Sequence, residues 1–182
     1  MSLDETSGIG KGYVHIYTGN SKGKTTAALG LAFRAMGRGL KTYIGQFMKG
    51  QFCGELKAAD MSFPYIIIEQ YGRPGFHHDP ESPEEADLRM AQEGLARATA
   101  AMLSGEYQIV VLDEIVTCVP FGVISTEEIL EMIRSKPDGL ELILTGRYAL
   151  PEIIDAADLV TEMKEVKHYF RKKVPARDGI ER

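Results

Sequence analysis

Residues 13–26, YVHIYTGNSKGKTT, constrain this chain more than any other stretch. An apolar strand-like segment runs into a Gly-bearing polar turn, then into Gly23-Lys24-Thr25-Thr26 and directly into an Ala/Leu-rich helical pattern. That order of parts makes a phosphate-binding loop. Successive backbone N–H groups point into one concavity, the helix N-terminus adds partial positive charge, and Lys24 supplies a mobile cation. Thr25 offers a hydroxyl to a phosphate-bound Mg²⁺. The usual spacing, G-x-x-x-x-G-K-[ST], needs Gly at position 18, which is Thr18; the available pair, Gly19 and Gly23, is one residue tighter. The bland alternative is a strand-to-helix turn with incidental Gly and Lys, and an acidic strand end later in the chain weighs against it.

A chain of 182 residues suits one domain with its own core. A net charge of −5 disfavours non-specific polyanion binding, so nucleic acid is not an expected partner. Cys53 and Cys118 lie far apart with no C-x-x-C spacing, which suggests neither a disulfide framework nor a zinc site and fits a reducing cytoplasm. No apolar run approaches a membrane span, and no signal-peptide pattern opens the chain. Residues 1–12 are expected to be poorly ordered, leaving 13–182 as the folded domain.

Taken in order, the strand Tyr13 to Tyr17 leads through the loop to a helix over Lys24 to Met36, whose Ala27, Ala28, Leu31, Ala32 and Ala35 form a small-residue face. A strand over Thr42 to Met48 carries Gln46, Phe47, Met48, Lys49 and Gly50 to the same edge, where ligands of open parallel sheets collect. A short helix around Glu55 to Asp60 and a strand Tyr65 to Glu69 follow. The turn-rich stretch Gln70 to Ser82 reads as a binding loop. Its Phe76, His77 and His78 have two readings, a surface loop with an anchoring aromatic or a wall against a flat substrate. Ser82, Pro83 and Glu85 form a capping signal for a long amphipathic helix ending near Ser104.

Ile109 to Leu112 is a buried strand ending in Asp113 and Glu114, where a Walker B element would place carboxylates to hold Mg²⁺ or its waters. The two point to opposite faces if the strand continues, so one lies nearer the metal; spacing does not choose between them. Ser125-Thr126-Glu127-Glu128 is a second capping box. The strand Leu140 to Leu144 delivers Thr145-Gly146-Arg147, whose guanidinium is either a phosphate clamp or a surface charge, with the ligand edge favouring the clamp. A helix from Pro151 to Ala157 and a sixth strand, Leu159 to Met163, precede a basic tail with Lys164, Lys167, Arg171, Lys172 and Lys173, a solvated face or a surface for an anionic partner. Six strands alternating with helices predict an α/β fold, a single-domain three-layer sandwich of the P-loop NTPase kind with a mostly parallel sheet covered on both faces.

With these residues in place, the chain resembles the P-loop type of ATP:corrinoid adenosyltransferases, which act on cob(I)alamin and its precursors. The likeness is carried by residues 18–26 (TGNSKGKTT), 46–50 (QFMKG), 112–114 (LDE), 144–147 (LTGR), 157–163 (ADLVTEM), 167–168 (KH) and 179–181 (GIE). The resemblance implies transfer of the 5′-deoxyadenosyl group of MgATP to the cobalt(I) of a reduced corrinoid, with triphosphate leaving. It implies that the backbone of Gly19, Asn20, Ser21, Lys22 and Gly23, with the Lys22 and Lys24 ammonium groups, cradles the phosphates, and that Asn20 reaches the ribose. Thr26 and Arg147 add phosphate contacts, and Thr25 and Glu114, helped by Asp113, serve Mg²⁺. Phe76 matches a family aromatic that strips the lower ligand from cobalt. Ser21 stands where better-known members have Gly, and His78 stands where they carry Trp, so His77 or His78 becomes a candidate for the corrinoid face. A homodimer and a flavoprotein reductant also follow from the resemblance alone.

Two other readings compete. A conventional P-loop ATPase or kinase would release ADP; a GTPase lacks a base-reading N-K-x-D element after the acidic strand. A non-catalytic nucleotide or corrinoid carrier would bind both ligands without forming a cobalt–carbon bond.

Overall fold

A computed structural model describes residues 8–74 and 83–182. Its elements follow the chain as β1 (Val14–Thr18), α1 (Lys24–Met36), β2 (Thr42–Phe47), α2 (Gly54–Met61), β3 (Ile66–Tyr71), α3 (Glu85–Leu103), β4 (Ile109–Asp113), α4 (Ile115–Cys118), α5 (Thr126–Ser135), β5 (Glu141–Thr145), α6 (Pro151–Asp155) and β6 (Leu159–Glu162). The strands form one six-stranded sheet in the order β3-β2-β4-β5-β1-β6, with every pairing parallel. The α/β class and the single domain are as the alternating pattern predicts.

Alternation along the strands sorts the core into two layers, because successive side chains leave a strand on opposite faces. Ile44, Val111 and Ile143 pack with Ala28, Ala32 and Ala35 of α1 on one face. Val110, Leu112, Leu142 and Leu144 pack on the other with Ala91 and Ala98 of α3 and Ile129 of α5. Alanines on both helices let backbone and sheet approach closely. At Gly94 of α3 the approach is closest, since a Cβ there would stand 2.6 Å from the Tyr71 ring. Each fully buried Leu or Ile contributes roughly 2 kcal/mol of transfer free energy.

Two local features depart from expectation. The long helix starts at Glu85 rather than Pro83, with Glu84 at the N-cap and no side-chain cap; Ser82 lies outside the described residues. The start is tied instead by Arg73, which donates to both carboxylate oxygens of Asp87 at 2.8 and 2.7 Å and to Glu84 at 2.8 Å. The strand β4 stops at Asp113: Glu114 has φ 63° and the short helix α4 follows, so the two carboxylates diverge at a turn rather than by strand alternation. By contrast, the Ser125 box forms as read, with Ser125 Oγ accepting from Glu128 N and Glu128 accepting from Ser125 N.

Candidate active site

The loops at the carboxyl ends of β1, β2, β4 and β5 surround a cavity of about 740 Å³, closed on one side by residues 179–182. The loop after β1 forms its floor. Gly19 has φ 105°, and a Cβ on it would lie 2.4 Å from the Met163 carbonyl oxygen, so the chain requires glycine there. Ser21 fits the tightened loop with its backbone N–H donating to the Met163 carbonyl at 3.2 Å, and it lines the cavity. Gly23, at φ 125°, turns the chain into α1 with no side-chain cap, which leaves the first-turn N–H groups for an anion.

Lys24 is only 5% exposed, and its Nζ donates to the carbonyls of Gly19 and Ser21, both at 2.9 Å. It thus braces the loop from within. Burial lowers its pKa, and the Arg147 charge adds to that, while Glu114 and Asp113 oppose it. Arg147 is exposed on the cavity wall and forms no ion pair among the described residues; its backbone N–H is fixed by a 2.8 Å bond to Thr117 Oγ1.

The two carboxylates at the end of β4 separate cleanly. Asp113 is 1% exposed and does not line the cavity. Its Oδ1 accepts from Thr25 Oγ1 at 2.9 Å and Thr145 Oγ1 at 2.7 Å, and its Oδ2 accepts from Lys49 Nζ at 2.7 Å and Gln46 Nε2 at 3.3 Å. Glu114 does line the cavity. Its backbone N–H donates to Thr145 Oγ1 at 3.0 Å, and its Oε2 accepts from Thr117 Oγ1 at 2.6 Å. Thr117 therefore couples Glu114 to the Arg147 backbone, and Thr145 couples Glu114 to Asp113.

The sequence places Lys49 at the ligand edge and gives it no partner. Burial works against its ammonium, but Asp113, Glu55 and Glu114 outweigh this and raise its pKa, so it stays charged. The sequence signal for it is QFMKG at the end of β2, and for Thr145 it is the residue before Gly146-Arg147. Thr117 carries no such signal, because it acts from a short helix that the β-branched run Ile115-Val116-Thr117 disguises.

Among the other expected residues, Thr25 and Thr26 line the cavity, whereas Asn20 is exposed and does not. Lys22 lines it too, but its Nζ is engaged by the tail, donating to the Ile180 carbonyl at 2.7 Å and to Glu181 Oε1 at 2.9 Å. Phe76, His77 and His78 lie outside the described residues. For Mg²⁺, the fit rests on hard oxygen donors: Thr25 and Glu114, which carry a hydroxyl and a carboxylate, both line the cavity. Among the described residues no group of three or more His, Cys, Asp and Glu could hold a metal, so the fit is to an ion that keeps waters and leans on substrate phosphates. No helix of the described residues is long and apolar enough to cross a membrane.

Comparison with known proteins bears on this cavity. Residues 10–182 match the family model described as ATP:corrinoid adenosyltransferase BtuR/CobO/CobP. A corrinoid adenosyltransferase of Escherichia coli K12 is 34% identical over 172 residues, covering 94% of this chain and 86% of that protein. One from Pseudomonas aeruginosa is 32% identical over 171 residues, covering 94% and 84%. An uncharacterized Nostoc protein is 36% identical over 170 residues, covering 86% of this chain and 45% of its own length.

Proposed function

This chain belongs to the ATP:corrinoid adenosyltransferase family, and from that premise we propose how its cavity carries adenosyl transfer from ATP to a reduced corrinoid. The observation that carries the reading is that Lys24, Thr25, Glu114 and Arg147, drawn from three loops, line one cavity beside a glycine-turned phosphate loop. Its volume of about 740 Å³ is in the range that accepts a nucleotide.

In the reaction, the cobalt(I) electron pair attacks C5′ of ATP, the cobalt–carbon bond forms, the C5′–O bond breaks and triphosphate departs with that bond's electrons. No proton moves in this step. That agrees with a cavity in which Lys24 and Arg147 offer positive charge and the lining histidine, His168, accepts through Nδ1 from the Phe170 backbone N–H. The protein's task is to hold the phosphates, keep C5′ in line and stabilise charge gathering on the leaving group. Loop N–H groups, Lys24, Thr26 and Arg147 take the phosphates. Thr25 and Glu114 would hold Mg²⁺, directly or through its waters, while Asp113 orients Thr25 from behind. Bound there, Mg²⁺ would neutralise part of the triphosphate charge.

Phe76 with His77 or His78 is assigned to the corrinoid side, and Asn20 to the ribose. A homodimer, a flavoprotein electron donor and a cytoplasmic setting complete the reading; the last is supported by two buried free thiols, Cys53 and Cys118. The test is anaerobic incubation with ATP, Mg²⁺ and chemically reduced cobalamin, following the corrinoid spectrum and the phosphate products. Triphosphate with a cobalt–carbon spectrum is expected. ADP and phosphate, or binding without spectral change, would overturn it.

A further inference from the structure

The tail after β6 returns to the phosphate loop and closes one side of the cavity. Glu181 is the knot: its carboxylate accepts from Lys22 Nζ at 2.9 Å, from the Arg177 backbone N–H at 3.0 Å and side chain at 3.1 and 3.2 Å, and from the Tyr169 hydroxyl. Lys22 also reaches the Ile180 carbonyl at 2.7 Å. The far end of this hook approaches α2, where a Cβ on Gly54 would lie 3.9 Å from the Arg182 carbonyl oxygen. The hook therefore runs from the phosphate loop to the β2–α2 connection.

Cavity lining changes character across this span. Lys24, Thr25, Glu114 and Arg147 present charge and hydroxyl groups; Leu29, Ala58 and Ile180 are its aliphatic contributors among the described residues. Ile180 is 57% exposed, a large apolar side chain facing open space at a cavity wall. Aliphatic side chains in the same cavity as a phosphate loop suit the part of ATP that is not phosphate. The charge of Lys22, meanwhile, is already matched by Glu181.

We propose that residues 177–182 form the nucleoside wall of the ATP site, with Ile180 packing on the nucleoside, and that Lys22 and Glu181 are positioning residues that pin this wall to the phosphate loop. The proposal rests on ATP occupying the cavity as described above. It gives Lys22 a different part from Lys24: one anchors the hook, the other braces the phosphate cradle.

The two ends of the substrate can be separated experimentally, because tripolyphosphate has the phosphates of ATP and no nucleoside. Calorimetric affinities for ATP and for tripolyphosphate, both with Mg²⁺, are measured on the full chain and on Ile180→Ser, Glu181→Gln, Lys22→Ala, Lys22→Arg and Lys24→Ala. Ile180→Ser, Glu181→Gln and Lys22→Ala are expected to weaken ATP roughly tenfold, the loss of one well-packed aliphatic contact, and to leave tripolyphosphate within about twofold. Lys22→Arg restores most of the ATP affinity, and Lys24→Ala weakens both ligands. Retained tripolyphosphate affinity also certifies that each variant is folded at the loop. As a second readout, ATP should slow tryptic cleavage at Arg177 while tripolyphosphate does not. Equal weakening of both ligands by Lys22→Ala would make Lys22 a phosphate ligand and overturn the proposal, as would unchanged ATP affinity in Ile180→Ser. Tripolyphosphate binding untouched by Lys24→Ala would instead bring down the reading of the loop itself, and the hook with it.

Discussion

Thr25 Oγ1 donates to Asp113 Oδ1 at 2.9 Å across 88 positions of the chain, joining the first turn of α1 to the end of β4. Asp113 spends its other acceptor positions on Thr145, Lys49 and Gln46, while its neighbour Glu114 turns into the cavity. Adjacent carboxylates thus take different places, Asp113 tying the site's elements together and Glu114 lining the cavity.

That division predicts opposite phenotypes. Asp113→Asn places an amide donor against a donor and leaves Lys49 without its closest carboxylate, which should cost about 3 kcal/mol. Glu114→Gln keeps an acceptor for Thr117 and should stay within about 1 kcal/mol of the parent while losing at least tenfold in adenosylation rate. Urea unfolding and initial rates on both variants decide the matter; a stable Asp113→Asn or a fully active Glu114→Gln would contradict it.

On the proposed role of Lys24, Lys24→Ala removes a charged contact to phosphate worth about 1.5–3 kcal/mol, so ATP affinity should fall roughly 10- to 100-fold. Arginine should not rescue it, because the side chain is enclosed and fitted to two loop carbonyls. Equilibrium binding of ATP to the two variants is the check.

Gly19→Ala should damage both stability and nucleotide binding. Its φ of 105° is unfavourable for any L side chain, and the added methyl meets the Met163 carbonyl. About 1–3 kcal/mol of destabilisation is expected from the backbone alone. A thermal melt unchanged from the parent would show that the loop relaxes without cost.

The α5 cap supplies a pH test away from the cavity. Burial opposes ionisation of Glu128, but bonds from the Ser125 hydroxyl and backbone and from Gln92 outweigh it, so its pKa is lowered. A depressed carboxylate pKa stabilises the fold above the unfolded value of about 4.3, and that contribution fades as pH falls through the folded value. Ser125→Ala should therefore cost about 1 kcal/mol at pH 7, with the gap to the parent narrowing below about pH 4. Urea midpoints at the two pH values measure it.

Much of this was legible in the chain itself. Helix α1 has the bounds its alanine spacing predicts, and all six strands fall within about two residues of their apolar runs. Short-range chemistry sets those elements. Strand order was not readable, because β2, β4 and β5 are buried on both faces and any of them could lie beside another. The short helix α4 escaped because burial of Ile115, Val116 and Cys118 overrides a β-branched preference. Glu181 was visible only as part of a motif, since its partnership with Lys22 spans 159 positions.

The sheet order also has a consequence for biosynthesis. The strand that carries the phosphate loop, β1, pairs among the described residues with β5 and β6, both made long after it. A nascent chain that has emerged only as far as α5 holds the loop sequence but neither lateral partner of its supporting strand. Nucleotide capture therefore waits until β5 and β6 have been made. In refolding, ATP binding should lag the recovery of helical signal, because the loop gains its support from the most distant pairings in the fold.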